Sequence, residues 1–313
     1  MTDTTTSPTP SAEAPRPYRR DPDAPLPPLV EPWSGNGLVG VVQRRYLLKL
    51  LVQRELSARY QGALLGMLWS YINPMTQFFI YWFVFGVIFN AHAKVPNYAI
   101  HLFAGLIIVH FFTETFAAGT RSIVGNRALV VKQAMPREMF PVAAMLVSLY
   151  HVLPQVVILL IACVAAGWTP DPVGMLAFVL SLSIIAALGT AAALVFSAAN
   201  VFFRDFGNIV NVFNHFVRYG VTMMYPWSYI VDRLGPDGSK FFLLNPLADA
   251  VLLFQRAFYT GTVDSTEPAA VREALMPENL MVYGVVVLVA SLALLGIAQL
   301  IFSRLENRIP ERL

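Results

Sequence analysis

RELSARYQGALLGMLWSYINPMTQFFIYWFVFGVIFN, residues Arg54–Asn90, opens with cationic and polar side chains and then, from Leu64 to Asn90, carries no Asp, Glu, Lys or Arg. An apolar stretch of that length crosses a hydrocarbon core of about 30 Å as a single helix. Arg44, Arg45, Lys49, Arg54 and Arg59 lie in or just ahead of its polar start. This excess of Lys and Arg predicts a cytoplasmic N-terminus, which sets the direction of every later segment.

Composition agrees with an integral membrane protein. Charged residues make up 13% of the 313, apolar types 56%, and the mean hydropathy is +0.58. A soluble domain carries about 25% charged residues. The net charge of +3 and pI near 9.0 do not point to nucleic acid, because the cations sit beside the hydrophobic runs, where they set topology and meet lipid headgroups. Cys163 is the single cysteine, so neither an intrachain disulfide nor a cysteine metal cluster is available.

Residues 1–33 are rich in Pro, Thr, Ser and Asp and lack the apolar core of a signal peptide, which predicts a disordered cytoplasmic tail. Leu38–Tyr60 reads as a helix within an interfacial segment, residues 34–63. Leu47, Leu51 and Ala58 share one face and Arg45, Lys49 and Gln53 the other, with Arg54 intruding on the apolar stripe. Its place before the first span favours a membrane-surface helix; a solvated cytoplasmic helix is the alternative. Six spans follow by hydropathy, near Leu64–Asn90, Tyr98–Ala118, Met139–Ala166, Val173–Ala199, Ile209–Val231 and Met281–Phe302. They define an all-α transmembrane domain, residues 64–303, and a cytoplasmic C-terminal tail, 304–313. The loop Gly119–Glu138 carries Arg121, Arg127, Lys132 and Arg137, and the C-terminus Arg304, Arg308 and Arg312, whereas the opposite loops offer Lys94 and, in Gly167–Pro172, no cation. The positive-inside rule therefore places both termini in the cytoplasm. Phe241–Phe254, an apolar run interrupted by Asn245, Pro246 and Asp249, is too short to span. It predicts a re-entrant or interfacial helical hairpin on the external side, or a small cap packed on the bundle.

Catalytic signatures do not emerge. No G-x-x-x-x-G-K-[ST] loop occurs, and the nearest glycine cluster, Gly235–Lys240 (GPDGSK), has the wrong spacing. His92, His101, His110, His151 and His215 are dispersed without ligand spacing, so no metal site is expected. The chain reads as a non-enzyme that does not hydrolyse ATP. In the fifth span Asn208, Asn211, Asn214 with His215, Arg218 and Thr222 recur at helical steps, forming either a hydrophilic path or interhelical hydrogen-bonding groups. Glu114, in the second span, is the other ionisable residue at depth, and a pair with Arg218 would neutralise both if the two helices meet. Aromatic residues crowd the first span (Trp69, Tyr71, Phe78, Tyr81, Trp82) and the fifth (Tyr219). They suit the C–H faces of sugar rings or the ordinary aromatic belts of a membrane protein.

Arg54–Pro74 (RELSARYQGALLGMLWSYINP), Ala128–Leu146 (ALVVKQAMPREMFPVAAML), Asn200–Phe213 (NVFFRDFGNIVNVF) and Leu244–Tyr259 (LNPLADAVLLFQRAFY) together resemble, in order, the permease subunits of type-2 ABC exporters that move lipid-linked polysaccharides such as O-antigens, teichoic acids and cell-wall galactan. The likeness covers about Leu38–Leu313 and leaves the N-terminal tail unassigned. It implies a homodimer of six-span permeases in the bacterial plasma membrane, driven by two separate cytoplasmic ATPase subunits that hold the ATP and Mg, with no cofactor in this chain. Arg127, Leu129, Lys132, Met135, Pro136, Arg137 and Glu138 would couple to the ATPase, with Arg54 and Arg59 beside them. Trp69, Tyr71, Phe78, Tyr81, Trp82, Asn211, Asn214, His215, Arg218 and Tyr219 would line the conduit. Arg121 and Arg218 would contact a diphosphate, and Asn245, Pro246, Asp249 and Phe254 would form the external gate. A type-2 permease for a drug or small lipid, and a membrane-embedded glycolipid enzyme, remain the alternatives; the single cytoplasmic acids Glu138 and Asp205 speak against the enzyme.

Overall fold

A computed structural model of the chain describes residues 37–62, 66–93, 95–133, 135–263 and 275–312. The predicted tail, the first residues of the expected first span and part of the long external segment lie outside the described residues. Those that are described are helical throughout, without strands. Two short helices come first, α1 (Gly37–Gln43) and α2 (Arg45–Tyr60), separated at Arg44, so the expected Leu38–Tyr60 helix is in two pieces. The first membrane helix is α3 (Trp69–Tyr81), which runs on as a wider π-helical turn over Trp82–Ile88.

The central helices are α4 (Tyr98–Gly125), α6 (Met139–Ala165), α7 (Pro172–Phe202) and α11 (Leu280–Leu305), with the short α5 (Arg127–Lys132) between α4 and α6. α7 packs along both α4 and α11, and α4 along α6. Among the described residues, five helical segments are long and apolar enough to cross a membrane: α3 with its π turn, α4, α6, α7 and α11. α4 is the most buried of them. Close packing explains how: a methyl group on Gly119 of α4 would lie 2.4 Å from Cβ of Ala193 on α7, and one on Gly189 of α7 would lie 3.0 Å from Cγ2 of Thr115. Small residues let the two backbones approach, which is the main source of helix association where lipid offers no hydrophobic contrast.

The expected fifth span, Ile209–Val231, is not one helix. α8 (Phe206–Tyr219) has 14 residues, about 21 Å at 1.5 Å per residue, and is short of the hydrocarbon thickness. The chain leaves the helix at Gly220 and starts α9 (Trp227–Phe242) only after Pro226, whose backbone is extended. Proline disfavours helical geometry in the residue before it, so Tyr225–Pro226 delays the next helix. α9 bends at Gly235 (φ 70°) and is followed by α10 (Pro246–Phe258). The pair α9–α10 turns through 105° at its break and would count as a sixth span only if taken as one broken element. The expected run Phe241–Phe254 thus falls across the break of a bent helix pair that begins at Trp227. Its second arm, α10, is buried among α4, α7 and α11.

A second apolar cluster closes the opposite end: Val41, Leu51, Ile123, Val130, Phe140, Phe302 and Ile309 bring α1, α2, α4, α5, α6, α11 and the last helix, α12 (Ile309–Arg312), together. The α4–α7 contact makes a direct prediction. Gly119→Val should overpack it and destabilise the protein by about 1–3 kcal/mol. Thermal unfolding in detergent measures this, and an unchanged midpoint would mean that the two helices can separate freely there.

Candidate functional site

The described residues form three polar assemblies. At the foot of α2, Arg59 and Tyr60 reach into the bundle. Arg59 Nη1 donates to Glu114 Oε1 at 2.5 Å, and His151 Nδ1 lies 2.9 Å from the same oxygen. Tyr60 lies with its hydroxyl 2.6 Å from His151 Nε2 and also bonds to Ser70. One tautomer serves all these contacts: Nδ1–H donates to Glu114, Nε2 accepts from Tyr60, and Tyr60 accepts from Ser70. The 3.1 Å approach of Arg59 to Nδ1 is then a contact between two donors held by one carboxylate. Gln155 completes the group, its Nε2 lying 3.3 Å from His110 Nδ1 and 3.1 Å from the His151 carbonyl. Helices α2, α3, α4 and α6 thus converge on Glu114. The pairing of Glu114 with Arg218 considered from sequence is not made; Arg59 takes that place. His110 and Glu114 sit one turn apart on α4, 3.9 Å between Nε2 and Oε2, yet among the described residues no group of three His, Cys, Asp or Glu side chains is placed to hold a metal ion.

A second assembly joins the start of α6 to the end of α11. Arg137 donates to the Glu306 carbonyl, and Gln299 donates to Glu138 at 2.9 Å and to Ser303 at 2.9 Å. Arg137 and Glu138 are each 3% exposed. They do not join the exposed surface formed by Arg127, Val131 and Lys132 on α5, while Leu129 and Met135 pack half-buried on the second cluster and Pro136 is buried. The Glu306 carboxyl is pushed up to about 7, first by desolvation and then by Glu138, against the opposing pull of Arg137. Arg54, which breaks the apolar stripe of α2, donates to Asn126 at 2.7 Å and so ties α2 to the end of α4.

The third assembly surrounds residues 220–226. Gln255 of α10 donates to the Thr222 and His101 carbonyls at 2.9 and 3.2 Å, Tyr98 to the Met224 carbonyl at 2.8 Å, and Asn245 to the Gly220 carbonyl at 3.1 Å. Asn245 Oδ1 also caps α10 by accepting from Leu247, with Pro246 in the first turn. Asp249 and Phe254 are wholly buried, Phe254 against Phe258 at 4.9 Å between ring centres. Arg256 forms a two-point pair with Asp171 at 2.7 and 3.3 Å, fixing α10 to the start of α7.

The expected conduit residues are divided. Asn214 is buried and donates to the Thr113 carbonyl at 3.2 Å, joining α8 to α4. Thr222 lies buried beyond the end of α8. Asn211 and His215 are exposed, His215 Nδ1 lying 2.7 Å from the Asn211 carbonyl. Arg218 and Tyr219 come beside Tyr81 of α3. Trp69, Trp82 and Tyr219 are exposed, Tyr71 is half-buried, and Phe78 packs on Phe103 at 5.2 Å. Arg121 lines a cavity between α2, α4 and α6 whose walls do not include Arg218. Sequence reasoning missed Arg59 and His151 as partners of Glu114, and Tyr60 and Gln155 as the groups that bond to His151. The one readable signal was the i, i+4 pair His110 and Glu114.

A bundle of long apolar helices around a buried ionic node is the architecture of a polytopic membrane protein. The family described as ABC-2 type transporter matches residues 46–259, and the chain belongs to that family. It is 30% identical over 227 residues to the O-antigen export system permease protein RfbA of Myxococcus xanthus, covering 72% of this chain and 85% of that protein. It is 27% identical over 231 residues to the protein of the same name from Klebsiella pneumoniae, covering 70% and 82%.

Glu306 supplies a pH test. A carboxyl with a folded-state value near 7 against an ordinary 4.5 binds its proton more tightly when folded, so its contribution to stability is full at low pH and falls as pH rises through this window. Glu306→Gln should therefore unfold at a higher temperature than the parent, by a margin that grows from about pH 5 to about pH 8. A margin independent of pH would remove Glu306 as the cause.

Proposed function

We propose that this protein is the membrane-spanning subunit of an ATP-driven exporter that carries a polyprenyl-diphosphate-linked polysaccharide, of the O-antigen or cell-wall galactan type, to the outer face of the plasma membrane. The observation that carries this reading is the similarity, across most of both chains, to permeases named for O-antigen export. Two copies of the chain form the conduit, both termini are cytoplasmic, and ATP is hydrolysed on two separate subunits.

The geometry supports an arrangement of parts. α5 presents Arg127, Val131 and Lys132 to the cytoplasm as the surface that meets the ATPase, and Arg137 and Glu138 transmit its displacement to α11 through Gln299 and the Glu306 backbone. Exposed aromatic and aliphatic side chains on α3 (Trp69, Phe79, Trp82, Phe83) and α8 (Phe213, Phe216, Tyr219) supply the faces that the second copy, lipid and the passing glycan contact. Flat apolar rings beside Arg218 and Asn211 let sugars slide without deep binding. The hairpin α9–α10 is the external gate, held by Asn245, Gln255 and the Arg256–Asp171 pair.

Depleting the protein in its host while following radiolabelled lipid-linked glycans tests the reading. Completed polymer should accumulate on the cytoplasmic side and disappear from the surface; normal surface glycans with failed export of a drug or small lipid would replace the proposal with that of a general type-2 exporter. Separately, Arg127→Glu with Lys132→Glu should reduce copurification of the ATPase by about tenfold or more, as expected for inverting charges at a complementary interface, while the permease remains folded. Undiminished copurification would move the docking surface off α5.

A further inference from the structure

Two cavities share Arg59 as a wall residue. The larger, about 430 Å³, lies between α2, α4 and the first turns of α6, with Glu55, Arg59, Arg121, Ser122 and Asn126 among its walls. The smaller, about 320 Å³, is bordered by Arg59 together with Tyr60, Trp69, Ser70, Asn73, His110 and Glu114. The charges on the larger cavity do not balance within its own walls. Glu55 is matched by Arg54 at 3.7 Å, and Arg59 by Glu114, which stands outside this cavity. Arg121 is exposed, and among the described residues no carboxylate lies within ion-pair distance of it.

The division of labour on Arg59 matters as much as the count. Glu114 is held through Nη1, and Arg59 also borders the larger cavity with donors that are not committed to Glu114. A guanidinium has five donors in a planar fork that matches phosphate oxygens, and two such forks facing one space make a receptor for a phosphate or diphosphate. A chamber of this volume is within the usual range for a small ligand.

We propose that the cavity between α2, α4 and α6 binds a phosphate or diphosphate group between Arg59 and Arg121, and that its occupancy loosens the Arg59–Glu114 attachment of α2 to the bundle. The site and the attachment share one cation. An anion on the outer edge of Arg59 is repelled by Glu114 and weakens the pull of Arg59 on it, and by linkage the carboxylate weakens the anion to the same degree. The diphosphate of a lipid-linked glycan is the physiological source if the proposed export function holds. In that case, arrival of the headgroup is reported to α2, and from there to the adjoining end of α4 through Arg54 and Asn126.

The test uses the full-length protein with its ATPase partner in nanodiscs, and three probes: inorganic pyrophosphate, a polyprenyl diphosphate without sugar, and the neutral polyprenol. Binding is read by calorimetry and by the fluorescence of the tryptophans, of which Trp69 borders the adjoining cavity. Arg121→Gln should weaken diphosphate binding about tenfold or more, as loss of a charge-assisted hydrogen-bonding partner does. Glu114→Gln, by contrast, should strengthen it severalfold, because it removes the competing negative charge. Arg304→Gln, exposed and outside the cavity, should leave binding unchanged, and polyprenol should show no dependence on Arg121. Binding of pyrophosphate with the same Arg121 dependence supports a site for phosphate from either source, whereas Arg121-dependent binding of the polyprenyl diphosphate alone supports a lipid headgroup site. Equal affinities in the parent, Arg121→Gln and Glu114→Gln overturn the proposal, as does an equal loss in Arg304→Gln, which would mean diffuse surface attraction. These outcomes are independent of glycan export: an Arg121-dependent site in a protein that exports no glycan would change the source of the phosphate, and normal export without such a site would remove only the site.

Discussion

A carboxylate set into the most buried helix of a membrane bundle has to be matched, and much of the arrangement at one end of this protein follows from the matching of Glu114. Its side chain is 11% exposed, and Arg59, at 43%, reaches it from solvent. Long cationic side chains can do this because their apolar stems pass along the bundle while the charged head finds its partner. Supplying the cation obliges α2 to end beside α4 and α6, which brings Tyr60 to His151 and Ser70. One buried charge thereby fixes four helices relative to one another, and Arg54 with Asn126 holds the same helix one turn earlier.

The other end solves a different problem. Seven residues, 220–226, run without regular helix between α8 and α9, and irregular backbone at membrane depth is tolerated only where protein satisfies its polar groups. Gln255, Tyr98 and Asn245 do so, each donating to a carbonyl of the irregular stretch. Gly105 contributes by absence, since a methyl group there would lie 2.9 Å from Cα of Met223. These side chains come from α4 and the α10 arm. Movement of the hairpin therefore cannot leave the irregular segment behind without stripping its hydrogen bonds, and α8 is tied to the same event through Gly220.

Most of the helices were legible because their apolar runs are long and uninterrupted: α4, α6, α7 and α11 fall within a few residues of hydropathy and stop near Gly, Pro or Asn. The fifth span misled because Val221, Met223 and Met224 continue the apolar signal through a stretch that Gly220 and Pro226 exclude from a helix. Periodicity is blind to that distinction. It also placed Asn208, Asn211, Asn214, His215, Arg218 and Thr222 on one stripe, which separates into a buried interhelical group (Asn214), an exposed pair (Asn211, His215) and a residue past the helix end (Thr222). The node at Glu114 was beyond reach for another reason. Its members come from residues 59, 60, 70, 110, 151 and 155, and only the spacing of His110 and Glu114 leaves a local trace.

The placement of Arg137 and Glu138 changes how force would travel. Read from sequence as surface contacts for a partner, they are instead buried against α11, so a push on α5 meets a rigid junction one turn later. α11 in turn packs along α7 and against α10. A displacement entering at α5 thus has a continuous packed route to the hairpin through α11 that bypasses α8. A second route begins at α2 and passes through Glu114 into α4, which also contacts α10. The two routes converge on α10, whose burial on all sides lets it shift only together with its neighbours.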